Sequence, residues 1–222
     1  DVCCVKYEDT YYLFCNQWDW ENLTDFSQNG VFLATSKDLL HWERQGLVFP
    51  EAGTVHRNAC VLQDIHNNAV KINGKFVMYL NHGLIAFSDD MIHWKSEAVE
   101  ERWPGGEGCL AICNYNEHEK DILLFTGGHH TGHFYAVGEV LFHKDNPRKP
   151  IDWLDYPVIT ADENIPYEKG FEKDFPHKPV SSWRDTIFFT GLTEVEDLLY
   201  VYYGGGEYYT CLATVDLKKQ GR

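Results

Sequence analysis

The chain has 222 residues and is 44% hydrophobic, enough to bury the core of one domain or of two small ones. Its formal net charge of −15 excludes partners that need a basic patch, such as nucleic acid or an anionic membrane, and is compatible with a neutral ligand. The 7 Trp and 13 Tyr fit β-sheet cores and sugar-binding surfaces alike.

In chain order, residues 1–16 read as a strand, a turn at Glu8-Asp9 and a second strand over 11–16. Residues 17–30 form a polar loop carrying Trp18 and Trp20, read as an aromatic platform for a sugar ring. A third strand covers 31–36 and the region of Trp42 leads to a short fourth; 50–64 is a connector. From His66 the pattern restarts. Residues 66–81 lie under 1–16 without a gap, Val70 on Val5, Lys71 on Lys6, Phe76 on Tyr11, Met78 on Leu13 and Asn81 on Asn16. The third unit starts near Glu107 with strands over 109–115, 121–128 and 134–142. The fourth runs from about Phe175, with strands over 186–192, 198–206 and 210–217. The Pro- and charge-rich segment 144–173 reads as a long ordered loop across one face, and no stretch shows a helical period.

One motif ties the units together: Ser36, Asp38, His41 and Trp42 recur at the same spacing as Ser88, Asp90, His93 and Trp94. Four units, each a small antiparallel sheet, predict an all-β fold, a β-propeller forming a single domain over 1–222. A two-sheet sandwich is the alternative, although its strands would not restart in this way.

The 7 cysteines include no CxxC pair, which argues against a zinc ribbon; they read as free, mostly buried thiols of a reducing compartment, so the cytoplasm is favoured over the periplasm or secretion. No apolar run reaches 18 residues. His129, His130 and His133 read as a polar rim rather than a metal cluster, and no cofactor is expected.

A propeller converges the starts of its innermost strands on one mouth of a central channel. The repeat places Asp1, His66 and Glu107 there, with His177 or Asp174 in the fourth unit. Two carboxyls over a polar pit are the equipment of glycoside cleavage: one protonates the leaving oxygen, the other activates water or attacks the anomeric carbon. Asp64 lies two positions from His66 and keeps its face in an extended strand. His66 with Asn67 and Asn68 would bind sugar hydroxyls or satisfy a buried turn.

Residues 1–14, 71–81, 121–128, 135–151, 167–171, 186–207 and 211–217 resemble the blades of the five-bladed propeller glycosidases, in particular glycoside hydrolase family 130, with families 43 and 32 as relatives. The resemblance implies that Asp1 is the general acid, with Val2-Cys3 where the family has Pro-Arg. Leu80-Asn81 stands where the family has His-Arg, the Arg holding phosphate in phosphorolytic members, and Thr126 replaces a sugar-binding His. Tyr203 and Glu207 lie in the segment most specific to family 130, Glu207 at a sugar-binding Asp position. Read toward families 43 and 32, Glu107 is the acid and Asp1 the base or nucleophile.

The expected function is therefore a glycoside hydrolase cleaving a β-mannoside or similar small oligosaccharide, with Asp1, Glu107 and Glu207 as catalytic candidates. Asp64, His66, Asn81, Trp18, Trp20, Thr126, His177 and Tyr203 are the expected substrate contacts. The loss of the phosphate-holding Arg favours hydrolysis over phosphorolysis unless Arg57, Lys178 or Arg184 replaces it. The alternatives are an inverting β-mannoside phosphorylase, a family 43/32-like furanosidase or xylosidase, and a non-catalytic carbohydrate-binding propeller. Five-bladed members carry another blade before Asp1, so an N-terminal blade is expected outside 1–222 or from a partner, a homo-oligomer included.

Overall fold

A computed structural model describes residues 2–19, 21–22, 29–52, 56–103, 105–113, 121–129, 135–162, 164–169, 185–206 and 208–220, with Gly105, Glu107, His129, Lys169 and Gln220 described by their backbone alone. Four antiparallel sheets follow one another along the chain. The first contains β1 (Val2–Tyr7), β2 (Thr10–Gln17), β3 (Gly30–Ser36) and β4 (Trp42–Leu47), neighbours in that order. The second contains β5 (Cys60–Val61), β6 (Lys71–Ile72), β7 (Lys75–Tyr79), β8 (Leu84–Ser88) and β9 (Trp94–Ala98), β5 and β6 both pairing with β7. The third is β10 (Gly105–Cys113), β11 (Ile122–His129), β12 (Gly138–His143) and β13 (Asn146–Trp153); the fourth is β14 (Ile187–Val195), β15 (Leu198–Gly205) and β16 (Tyr209–Asp216).

The chain is a β-propeller of four blades. The innermost strands β1, β5, β10 and β14 lie side by side around a centre. Parallel bridges join Lys6 to Asn68 and Gln63 to Ile112, so these inner segments run the same way and begin at one common mouth. Each blade exposes alternate residues to its two neighbours, because side chains change face at every step along a strand. Three apolar clusters result. The first joins blades 1 and 2 through Val5, Phe14, Phe76 and Met78. The second joins blades 2 and 3 through Leu62, Tyr79, Leu124 and Phe142. The third joins blades 3 and 4 through Ile112, Phe189, Leu192 and Val201.

The repeated motif is a turn-closing device built twice with the same bonds. Ser36 Oγ accepts the N–H groups of Asp38 and Leu39, and Asp38 Oδ1 accepts those of Leu40 and His41. Asp38 Oδ2 lies 2.8 Å from His41 Nδ1, and Trp42 Nε1 donates to the Leu39 carbonyl at 3.1 Å. Ser88, Asp90, His93 and Trp94 reproduce each bond, with Met91 in the place of Leu39. Leu39 and Met91 both take a left-handed conformation, φ 65° and 69°, a strain of the kind tolerated when surrounding bonds over-determine it.

Two expectations are corrected. The second strands of blades 1 and 2 do superpose as read, Phe76 on Tyr11 and Tyr79 on Phe14, but the inner strand of blade 2 starts earlier than His66. Cys60 pairs with Tyr79 as Cys3 pairs with Phe14, and Lys71 pairs with Phe76 as Lys6 pairs with Tyr11. Residues 62–70 thus stand where blade 1 has Val5 alone. They fold back on themselves, Val70 N–H donating to Leu62 and Asp64 N–H to Asn68, and lie in the half of the channel away from the mouth. The second correction concerns the expected loop over 144–173: residues 146–153 form β13, the outer strand of blade 3. Within the same segment Pro166–Lys169 is a single helical turn, α1.

Candidate active site at the channel mouth

The mouth is built by the starts of the inner strands and the ends of their partners, β2, β7, β11 and β15. The connector entering blade 2 crosses it, held on both sides by asparagines. Asn16, just before the end of β2, donates through Nδ2 to Asn58 Oδ1 at 2.8 Å and accepts the Asn58 N–H at 3.0 Å. Asn81, two residues past β7, accepts the Arg57 N–H on its side chain at 3.0 Å and donates its own N–H to the Arg57 carbonyl at 3.1 Å. His56 completes the anchor. Its ring packs on Phe49 and its Nε2 meets Ser96 Oγ at 2.7 Å. Asn58 is buried with φ 56°, a conformation Asn tolerates better than most residues. Arg57 is thereby fixed by its backbone on the rim, half-buried, in a chain with a large excess of acidic groups.

Blade 3 meets the mouth with glycines. Glu107 pairs with Gly127, and a side chain at Gly127 would force its neighbours to shift: a Cβ there would stand 2.5 Å from the Phe188 ring of blade 4 and 2.9 Å from Cys109 Sγ. The strand paired with Glu107, β11, therefore meets blade 4 by a close ring-to-backbone approach.

Blade 4 meets it with a buried carboxylate. Glu168 on α1 accepts the Tyr203 hydroxyl at 2.6 Å and the Asp162 N–H at 2.9 Å. Burial raises the Tyr203 phenol, and the neighbouring Glu168 carboxylate raises it further, so the phenol stays a proton donor to that bond. Gly205 lets α1 lie directly on the β15–β16 turn; a Cβ at Gly205 would be 3.0 Å from the Tyr167 carbonyl and 2.9 Å from Cys211 Sγ.

A cleft of about 380 Å³ lies among the inner strands of blades 1, 3 and 4. Val2, Cys3 and Cys4 line one side, Cys109 and Leu110 another, and Thr190–Thr193 with Tyr202 the side of blade 4. Gln63 and Asn67 line it as well. Burial pushes the Cys3 thiol up to about 12 and raises Cys4 and Cys60, which disfavours their thiolates.

Several expected site residues take other positions. Asp64 and His66 do not start a strand at the mouth. Asp64 Oδ1 accepts the N–H groups of His66 and Asn68, closing the turn of the inserted segment, and His66 is exposed there. Asn81, Thr126 and Tyr203 are buried: Asn81 holds Arg57, Tyr203 holds Glu168, and Thr126 pairs with Gly108 and Gly138 inside blade 3. Trp18 follows β2, half-buried. Asp1, Trp20, Asp174, His177, Lys178, Arg184 and Glu207 lie outside the described residues, as do His130 and His133, and Glu107 is placed by its backbone. Sequence reading missed Glu168, Asn58 and the holding role of Asn16, although the fall of Asn81 on Asn16 was a signal for the last.

No family model matches the chain. It is 26% identical over 226 aligned residues to a 1,2-β-oligomannan phosphorylase of Thermoanaerobacter sp. strain X514, an alignment covering 98% of this chain and 68% of that protein. Among solved structures it matches the β-1,2-mannobiose phosphorylase of Listeria innocua in complex with β-1,2-mannobiose, with TM-score 0.70, 22% identity, and 99% of this chain on 58% of that one. It also matches a structure from work on the GH130 family of mannoside phosphorylases, described there as containing glycoside hydrolases that target β-1,2 mannosidic linkages in Candida mannan. The TM-score is 0.74 and the identity 22%, with 98% of this chain on 64% of that one. The chain resembles glycoside hydrolase family 130. The chain spans roughly two thirds or less of the length of these relatives.

Proposed function

We propose that the protein acts on β-1,2-linked mannosides and transfers the terminal mannosyl unit to inorganic phosphate with inversion. The observation that carries this reading is the likeness to a 1,2-β-oligomannan phosphorylase along 98% of the chain. It reverses the preference for hydrolysis drawn from Asn81. That preference allowed for a replacement cation, and Arg57 is fixed on the mouth by Asn81 itself.

In this mechanism a carboxyl protonates the glycosidic oxygen while a phosphate oxygen attacks the anomeric carbon from the opposite face. The C–O bond to the leaving sugar breaks, giving α-mannose 1-phosphate and a chain shorter by one unit. The family resemblance assigns the proton to Asp1. Arg57 supplies the positive charge that phosphate needs in a strongly acidic protein.

Hydrolysis is the second reading, favoured by Asn81 standing where phosphorolytic members of family 130 carry a cation. Incubation with β-1,2-mannobiose, with and without phosphate, separates the two. Mannose 1-phosphate formed only with phosphate, and lost in Arg57→Ala, supports phosphorolysis. Free mannose at equal rates in both conditions supports hydrolysis. No turnover of any β-mannoside under either condition overturns both.

A further inference from the structure

Tyr167, Tyr208 and Tyr209 form an exposed aromatic corner on the rim of the mouth. Their fractional exposures are 44%, 59% and 39%, large for rings that pack against one another. Tyr209 stands edge-on to both neighbours, its centroid 5.3 Å from that of Tyr208 at 76° and 6.4 Å from that of Tyr167 at 72°.

The corner is assembled at a cost. Glu168, next to Tyr167, is buried and has to be satisfied by Tyr203 and the Asp162 amide. Gly205 gives up a side chain so that the Tyr167 carbonyl can approach. The turn carrying Tyr208 is closed by its N–H to the Gly205 carbonyl at 3.2 Å, and the Gly206 N–H ties it to Thr186 beside the start of β14 at 2.9 Å. A buried carboxylate, a tight glycine and two backbone bonds thus converge on holding three partly exposed tyrosines beside the channel mouth.

We propose that this corner is a distal subsite for a neutral oligosaccharide, binding a sugar unit removed from the bond that is cleaved. Sugar rings present C–H faces that pack on aromatic rings. An anionic chain is disfavoured by the net charge of −15. The inference deepens the proposed function: it rests on that site being a glycoside-cleaving one, and it assigns longer oligomannosides as preferred substrates over the disaccharide.

The test compares wild type, Tyr208→Ala and Tyr208→Phe. Turnover is measured on β-1,2-linked mannobiose and mannotetraose, and calorimetric binding on neutral manno-, gluco- and xylo-tetraoses without phosphate. The expected result is that Tyr208→Ala lowers kcat/KM for the tetraose about tenfold and leaves the disaccharide unchanged, while Tyr208→Phe retains the preference. Equal losses on both substrates, or no loss on either, overturns the subsite and leaves the proposed function standing. Absence of mannoside turnover with Tyr208-dependent binding of another tetraose overturns the proposed function and keeps the subsite. No binding of any tetraose by the wild type overturns the subsite as well.

Discussion

Asn16 and Asn81 hold the same position in consecutive blades and grip consecutive residues of one connector, Asn58 and Arg57. Each uses a side-chain carbonyl to accept a backbone N–H. The repeat has been put to work on something that is not itself repeated, the crossing strand of chain at the mouth. Replacing Asn81 by Ala strips the Arg57 N–H of its acceptor in a buried place. Asn81→Ala is expected to lower stability by about 1–3 kcal/mol in urea unfolding and to raise KM for phosphate. Arg57→Ala is expected to abolish phosphate-dependent turnover while keeping the hold on Asn81, which is made through the backbone.

The Glu168–Tyr203 bond predicts a coupled pair. Tyr203→Phe leaves a buried carboxylate oxygen without its donor and is expected to cost about 1–3 kcal/mol. Tyr203→Phe combined with Glu168→Gln should cost less than the two single losses added, since the neutral amide no longer demands the same donor. Thermal unfolding of the four forms measures this. Additive losses would show that the two side chains are not energetically linked.

Gly127→Ala places a methyl group against the Phe188 ring and Cys109 Sγ. Overpacking of this kind costs about 1–3 kcal/mol, and the expected outcome is a lowered urea midpoint with impaired turnover, because the strand opposite Glu107 moves. Wild-type stability and activity in Gly127→Ala would contradict the close approach.

The two Ser-Asp-His-Trp turns predict an acid-dependent contribution to stability. The Asp38 carboxyl is held well below the usual carboxylate range by the His41 ring first, then by the N–H groups of His41 and Leu40. In Asp90 burial works in the opposite direction, but the His93 ring and the N–H groups of His93 and Ile92 outweigh it. With folded values below the unfolded value of about 3.9, the contribution is complete above that pH and is lost as pH falls through the folded value. The Asp38→Asn, Asp90→Asn double variant should therefore be less stable than wild type at pH 7, and the difference should shrink below about pH 4. A gap that stays constant to pH 2 would refute the assignment.

Much of the fold was legible because period-2 alternation and the repeated turn residues are local signals, readable without knowing what packs where. Two elements were hidden for definite reasons. β13 contains Pro147 and Pro150, which read as breakers; it survives as a strand because it is the outer edge of its sheet, where missing N–H donors cost little, and its pairing with β12 shifts register on either side of Pro150. The split inner strand of blade 2 was masked by the hairpins that follow it. Lys6–Thr10 and Lys71–Lys75 match so well that the alignment could be run back past the hairpin into an insertion, placing His66 where Asn58 belongs. The site was less legible still. Whether a polar residue near a strand end touches ligand or scaffold depends on which neighbouring blade covers it, a tertiary fact. Asn81, Thr126 and Tyr203 are buried, and Tyr208 and Tyr209 are exposed.

The inserted segment 62–70 has one more effect. Lys6 exchanges bonds with Asn67 and Ala69, donating to the first and accepting from the second, while Gln63 does the same with Ala111 and Cys113. These bonds lace blade 1 through blade 2 to blade 3 across the channel. A propeller without such lacing can lose its blades one at a time, each as its own cooperative unit. Here the amides of Lys6, Gln63, Ala69 and Cys113 are closed by a single event, so they should exchange with solvent deuterium at one common rate, slower than the outer strands β4 and β9, and blades 1 to 3 should open together or not at all.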